Sequence, residues 1–305
     1  MEFLYLLEKL RIPGLNEFML AITTFGEETA LLVIALMVFW CVDKRHGYYI
    51  LGVGLLGTVA NQFMKLLFRI PRPWIRDPNF IALEAAKEGA GGFSFPSGHT
   101  QSAVGLMGAV AVTAKRRWLS VCAILIAVLV GFSRMYLGVH TPSDVAVGAL
   151  QSLILLAVMY PLVYKRDGKL IPWMLGGMIL IAAAFTLYVE GLRPQLVNAD
   201  QASAHNIESG IKNAYTLLGC TTGLLVVWFA DRKLNFDTKA LWWAQICKIV
   251  IGLALVLAVK EGLRSPLEAL CAGHMLSRAI RYFLIVITAG ILWPLCFRFF
   301  PKEKK

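Results

Sequence analysis

Three short blocks of this chain collect the residue types that phosphorus chemistry uses: Lys65 with Arg72-Pro73, Pro96-Ser97-Gly98-His99, and Ser133-Arg134 followed by His140 and Asp144. Lys65, Arg72 and Arg134 are cations able to hold phosphoryl oxygens, the arginines through paired N–H donors. His99 and His140 can carry protons or attack as nucleophiles near neutral pH. Asp144, four residues beyond His140, can orient an imidazole and stabilise its cation. Together they suffice to hold a phosphate, attack it and protonate its leaving group. One carboxylate is not the pair that would suit magnesium, so the expectation is chemistry with no metal and no cofactor.

The surrounding sequence says how these groups are presented. Pro71 and Pro73 bracket Arg72, so a helix carrying Lys65 must stop there and leave both cations at its end. Pro96-Ser97-Gly98-His99 opens an apolar segment, with proline expected in the first helical turn. The free amides of Ser97 and Gly98, with the Ser97 hydroxyl, then form an anion site at a helix N-terminus, and His99 stands beside it as general acid. Thr141, Pro142 and Asp144 read as N-cap, N1 and N3, a capping box with Asp in place of the usual Glu. Asp144 therefore has two roles that can coexist, helix cap and partner of His140.

The spacings K-x6-R-P, P-S-G-H and S-R-x5-H-x3-D resemble the three signature blocks of the type 2 phosphatidic acid phosphatase family. That family includes bacterial lipid phosphatases, sphingosine phosphate phosphatases, glucose-6-phosphatase and the vanadium haloperoxidases. The motif-bearing region is about residues 48–150. The resemblance implies a covalent mechanism in which His140 attacks phosphorus and forms a phosphohistidine. His99 protonates the leaving group and then serves water as base, Asp144 supports His140, and Lys65, Arg72, Arg134, Ser97 and Gly98 bind the phosphate.

Composition fixes the solvent of these elements. The chain is 58% hydrophobic and 16% charged, with mean hydropathy +0.65, against about 25% charged residues in an ordinary globular domain. It reads as an all-α integral membrane protein, a polytopic bundle. Apolar segments near the roughly 20 residues of a spanning helix lie at about 28–43, 48–68, 99–114, 118–138, 142–164, 170–190, 211–230, 241–260 and 278–299, the first and third of them short. That count is about nine transmembrane helices, with the phosphatase core in the first five. These spans exclude a soluble haloperoxidase, and a transporter would place its polar residues near the bilayer midplane, not at helix ends.

Residues 1–27 read as an N-terminal interfacial segment: Phe3, Leu4, Leu7 and Leu10 oppose Glu2, Glu8, Lys9 and Arg11, the pattern of a helix lying on a surface and ended near Pro13-Gly14. Asn16–Phe25 fits either a second such piece or an extension of the first span. The polar turn Lys165–Lys169 divides a phosphatase core, residues 28–164, from a four-helix transmembrane extension, residues 165–305, that carries no motif. Arg278 and Arg281 in that extension are spaced to share a helix face.

With nine spans, Lys44-Arg45, Lys115-Arg116-Arg117, Lys165-Arg166, Arg232-Lys233 and the tail Lys302, Lys304 and Lys305 all fall on one side, which the positive-inside rule makes the cytoplasm. All three blocks then face the exoplasmic side, the outer surface of a bacterial cytoplasmic membrane or an endomembrane lumen. The partners expected are the bilayer and a lipid phosphate with its phosphate at head-group depth, and no nucleic acid. Polyprenyl diphosphate, phosphatidic acid, phosphatidylglycerophosphate and sphingoid phosphates qualify; a soluble phosphate ester and lipid phosphotransfer are the alternatives. The net charge of +11 suits anionic lipid but chooses among none of these. Six cysteines scattered singly are expected to be buried free thiols.

Overall fold

A computed structural model describes residues 1–90 and 92–301, and the tail cluster Lys302, Lys304 and Lys305 lies outside them. The described residues are helices and connecting turns, with no strand among them. In chain order the helices are α1 (Glu2–Lys9), α2 (Pro13–Thr23), α3 (Glu28–Cys41), α4 (Lys44–Phe68), α5 (Pro73–Arg76), α6 (Glu84–Lys87), α7 (Gly98–Thr113), α8 (Arg117–Tyr136) and α9 (Pro142–Tyr164). They continue as α10 (Ile171–Leu192), α11 (Gln201–Leu234), α12 (Trp242–Gly262), α13 (Arg264–Leu270), α14 (Leu276–Ile287) and α15 (Trp293–Leu295).

Every apolar segment expected to span is helical, but among the described residues seven helices are long and apolar enough to cross a membrane by themselves. The two that fall short are the two whose apolar runs are short. With 14 residues, α3 reaches spanning length only together with Pro13–Gly26, from which it is bent by 55°. At 16 residues α7 is also short, and it buries Thr100, Gln101, Ser102, Ala103, Leu106 and Ala109 among others. A helix sheathed by protein need not match the hydrocarbon thickness.

The chain forms two compact units. The first contains Met1–Leu31, Val53–Met159 and Gly191–Gly210; the second contains Leu32–Gly52, Tyr160–Glu190 and the chain from Ile211 on. In the first, α7 is held by hydrogen bonds between polar side chains and backbone: Ser152 Oγ donates to the Gln101 carbonyl at 2.6 Å, and Gln151 Nε2 to that of Gly57 at 2.8 Å. In the second, Trp40 Nε1 donates to the Ala289 carbonyl at 2.8 Å. That carbonyl belongs to the π-helical turn Thr288–Leu292, just before Pro294. A proline has no N–H to continue an α-helical ladder, and one wide turn absorbs the defect within the span.

Residues 1–27, expected as an interfacial segment, pack in part on the protein itself. Leu4 and Leu7 are buried at 0% and 3% exposure, against the protein itself. Tyr5 donates to Asp77 Oδ2 at 2.8 Å, Arg11 donates to the carbonyls of Tyr136 and Ile81, and Tyr136 Oη donates to Asn16 Oδ1 at 2.8 Å. Leu4 packs with Phe80 and Ala82 of the loop after α5, while Phe3 and Leu10 of the same stripe stay 43% and 55% exposed. In the extension, the guanidinium groups of Arg278 and Arg281 do share a face, both lying over the Tyr282 ring at 5.3 and 5.7 Å.

Candidate active site

The polar ends of α4, α7, α8 and α9 meet in the first unit and bring all three sequence blocks together. Lys65 is in the last turn of α4, which stops at Phe68; Arg69 then takes a left-handed φ of 49° and Arg72 lies extended between its two prolines as the N-cap of α5. Ser97 is the N-cap of α7 and Arg134 lies in the last turn of α8. His140 sits in the loop before α9, and Asp144 is in the first turn of that helix. Lys65, Arg72, Ser97, Arg134, His140 and Asp144 are all buried.

Two glycines let backbone close around the Pro96–His99 block. A Cβ on Gly148 of α9 would stand 2.6 Å from the Ser97 carbonyl oxygen, and one on Gly26 would stand 2.7 Å from that of His99. Both contacts are with backbone, which cannot swing aside as a side chain can. The block is thus gripped by α9 and by the turn after α2.

Arg72 is the hub. Its Nη1 donates to the Val139 carbonyl and to His140 Nε2, each at 2.9 Å, and its Nε to the Gly92 carbonyl at 3.2 Å. A guanidinium has no acceptor, so His140 Nε2 must present its lone pair, and the proton of a neutral ring is then on Nδ1. Burial, and after it the charges of Arg72, Arg134, Lys65 and His99, hold His140 well below the ordinary imidazole range. The lone pair of Nε2 is thus aimed at an arginine.

Asp144 fulfils the cap and departs from the expected pairing. Its Oδ2 accepts from Thr141 N at 2.8 Å, and its own N–H donates to Thr141 Oγ1 at 3.3 Å, the reciprocal bonds of a capping box. The same Oδ2 accepts from Ser94 Oγ at 2.5 Å. His140 Nδ1 stands 3.5 Å from it and has no hydrogen-bond partner among the described residues. Two shorter donors already claim that oxygen, so the His140 contact remains an approach that must tighten to become a bond.

The Pro96–His99 block also corrects two expectations. Pro96 lies outside the helix, because Ser97 is the cap, with its Oγ accepting from Thr100 N at 3.3 Å and Thr100 Oγ1 at 2.9 Å. The Ser97 N–H donates to the Asp144 carbonyl at 3.0 Å, so it is not an open amide for an anion. The open donors of the first helical turn are those of Gly98 and His99, which have no intrahelical acceptor. Lys65 Nζ donates to the Phe93 carbonyl at 2.6 Å, and Arg134 Nη1 to Thr23 Oγ1 at 2.9 Å, while Arg134 Nε is buried without a hydrogen-bond partner among the described residues.

Sequence reasoning missed Ser94, Thr23 and Asn61. Asn61, one helical turn before Lys65, donates to the Pro96 carbonyl at 3.4 Å; its spacing was a usable signal. Thr23 meets Arg134 across 111 residues, and nothing local announces it. No three His, Cys, Asp or Glu side chains among the described residues converge as a metal site would require.

Residues 45–167 match a family model described as the PAP2 superfamily, and residues 215–305 match one described as PAP2 superfamily phosphatase, transmembrane extension. Sphingosine-1-phosphate phosphatase 1 of Mus musculus is 28% identical over 253 residues, 78% of this chain and 57% of that protein. Phosphatidylglycerophosphatase B of Bacillus subtilis is 32% identical over 157 residues, 48% of this chain and 74% of that protein. Undecaprenyl-diphosphatase BcrC of the same organism is 28% identical over 148 residues, 48% and 73% of the two chains. The chain thus spans 57% of the length of the mouse and rat sphingosine-1-phosphate phosphatases 1 that it matches, and no solved structure matches it. The first model covers all three blocks and the second covers the chain from within α11 onward, and with a relative matched over most of its length besides, this multi-pass membrane protein belongs to the PAP2 superfamily.

Proposed function

We propose that the protein is a membrane-embedded lipid phosphatase that works through a phosphohistidine on His140. The observation that carries this reading is the charge of the site. Lys65, Arg72 and Arg134 are buried together, and Asp144 is the one buried carboxylate among the described residues, which leaves two positive charges in excess. Buried charge without a counter-charge is costly, and a phosphate monoester dianion supplies the counter-charge in the form that guanidinium groups bind best.

In the proposed mechanism the phosphoryl group takes the place on Arg72 that His140 Nε2 now shares, so phosphorus arrives beside the lone pair. The Nε2–P bond forms as the bond from phosphorus to the leaving oxygen breaks. His99, protonated in the complex with the dianion, gives its proton to that oxygen. Water then attacks phosphorus, His99 takes the water proton, the N–P bond breaks and inorganic phosphate leaves. Arg72, Arg134, Lys65 and the Gly98 amide neutralise the equatorial oxygens throughout, which is where most catalysis of phosphoryl transfer originates.

A lipid substrate is supported by the site's position at helix ends, where a phosphate at head-group depth reaches it while its tail stays in hydrocarbon. It is also supported by the relatives, which are named for sphingosine-1-phosphate, phosphatidylglycerophosphate and undecaprenyl diphosphate. In this reading residues 28–164 are the catalytic core and residues 165–305 an extension that shapes substrate choice. The test is phosphate release by the detergent-purified protein from a panel of these lipids and of soluble esters, with EDTA present. Hydrolysis of the lipids is expected to persist in EDTA and to be blocked by vanadate, a pentacoordinate phosphoryl mimic. A strict magnesium requirement, or turnover of soluble esters alone, would sink the proposal.

Thr23 enters the same reading as a positioning residue. Thr23→Val removes the one acceptor of Arg134 Nη1 and leaves a second donor of that buried guanidinium unpaired. A fall in kcat/KM of about tenfold or more is expected, as for loss of a hydrogen bond to a charged group, with Thr23→Ser near the parent value. Steady-state kinetics on the two variants decides the point.

The lysine and arginine clusters support an exoplasmic site. A single cysteine replacing Asn79, in a chain freed of its native cysteines, should react with an impermeant maleimide on intact cells. One replacing Arg116 should react only after lysis. The reverse pattern would invert the topology and leave the chemistry untouched.

A further inference from the structure

The last carbonyls of α8, Ser133 to Tyr136, have no donor within the helix, and the chain that answers them is the turn carrying His140. The Ser133 carbonyl accepts from Leu137 N at 2.8 Å, that of Met135 from Gly138 N at 3.0 Å, and that of Arg134 from Val139 N and His140 N at 3.1 and 3.3 Å. These bonds fold the chain back over the helix end, with Gly138 at a left-handed φ of 78°. The Tyr136 carbonyl is answered from outside: Arg11 Nε donates to it at 2.9 Å across 125 residues of sequence. The same guanidinium donates through Nη1 to the Ile81 carbonyl in the loop after α5. Two residues on, Leu83 N donates to the Leu137 carbonyl at 3.0 Å, so that loop and the end of α8 are joined at two points.

The place suits an arginine. A cation at the C-terminus of a helix meets the negative end of its dipole. The planar fork of donors bonds carbonyls of two different segments at once, in a geometry that an ammonium group does not fix. Gly138 leaves the fork its room: a Cβ there would stand 2.7 Å from Arg11 Nη2 and 2.9 Å from the Phe80 ring, over which the guanidinium lies at 5.6 Å from the centroid.

What Arg11 holds is short. Val139 and His140 follow Gly138 directly, and Arg72 Nη1 donates to the Val139 carbonyl and to His140 Nε2, each at 2.9 Å. The turn Tyr136–His140 is thus fixed at one end by Arg11 and at the other by Arg72. Too few residues lie between for either end to shift alone.

We propose that Arg11 is a positioning residue for the nucleophile: it acts through the Tyr136–His140 turn and sets where His140 Nε2 stands when phosphorus arrives. The inference rests on the phosphohistidine reading of the site and adds to it a residue outside the three sequence blocks. Attack in line tolerates little misplacement, an error of about 1 Å costing on the order of 10²-fold. Release of the turn therefore slows transfer to His140. The later attack by water, when the ring is already bonded to phosphorus, is spared.

Rapid-quench single turnover by the full-length protein in non-ionic detergent, with sphingosine-1-phosphate labelled in its phosphate, separates the two steps. Arg11→Met keeps an apolar stem against Phe80 and loses both carbonyl bonds. It is expected to form phosphoenzyme about tenfold more slowly than the parent, the scale of a hydrogen bond to a charged group, while the phosphoenzyme decays at the parent rate. A defect of folding alone would lower the amplitude, because fewer molecules react, and leave the rate of the others unchanged. Arg11→Lys keeps the charge without the fork; it should also form phosphoenzyme more slowly, and it decides the matter should Arg11→Met not fold. Formation at the parent rate in the folded variants, or equal slowing of formation and decay, would overturn the inference and leave the phosphohistidine mechanism standing. A parent protein that forms no phosphohistidine would overturn that mechanism and this inference with it.

Discussion

His140→Ala is expected to reduce phosphate release by on the order of 10⁴-fold or more, the scale on which removal of a covalent nucleophile acts. It should also abolish labelling of the protein by a phosphorylated substrate. The expectation rests on the lone pair of Nε2, held 2.9 Å from an Arg72 N–H, where a phosphoryl oxygen would bind. His99→Ala should cost about 10²- to 10⁴-fold, as loss of a general acid does, and should spare adduct formation from an ester whose leaving group needs no proton. Acid-labile phosphoenzyme is trapped by quenching with substrate labelled in its phosphate. An adduct that survives His140→Ala would overturn the assignment of nucleophile.

Asp144→Asn is expected to cost about 10³- to 10⁴-fold in kcat, as in other sites where an imidazole loses its carboxylate, while changing stability by less than about 1 kcal/mol. The two effects separate because Asn keeps an oxygen for the Thr141 N–H, which closes the capping box at 2.8 Å, yet brings no negative charge to stabilise an imidazolium. Ser94→Ala, which frees Asp144 Oδ2 from a 2.5 Å hydrogen bond, tests the same oxygen from its other side and should act more weakly, by about tenfold. Kinetics and thermal melting on both variants distinguish catalysis from capping. A large fall in melting temperature for Asp144→Asn with a normal rate would leave Asp144 as a cap alone.

Much of this site was legible because its chemistry lies in short segments with local rules. Prolines on both sides of Arg72 end a helix, Thr141-Pro142-Ser143-Asp144 begins one, and the structure has both boundaries where those rules put them. What the sequence could not give was the competition for each donor. The Ser97 N–H looked open until α9 brought the Asp144 carbonyl to it at 3.0 Å. The role of residues 1–27 was hidden for a different reason: an apolar stripe says that a helix face is covered, not by what. Leu4 and Leu7 would read the same against lipid or protein, and only the tertiary contacts of Tyr5, Arg11 and Thr23 distinguish the two. Span counting failed at α3 and α7 because length measures fit to the bilayer only for helices that face it.

The surplus of buried cations also bears on how fast such a site can turn over. Inorganic phosphate carries the same kind of oxygens and a comparable charge, without a hydrocarbon tail to draw it back toward the bilayer. On the proposed mechanism the dephosphorylated lipid leaves first, and the attraction that recruits a phosphorylated substrate resists departure of the phosphate. The expected ceiling on the rate is then escape of the anion into water, not cleavage of a bond to phosphorus. Ambient phosphate becomes a brake that grows as the compartment fills with what the enzyme itself releases.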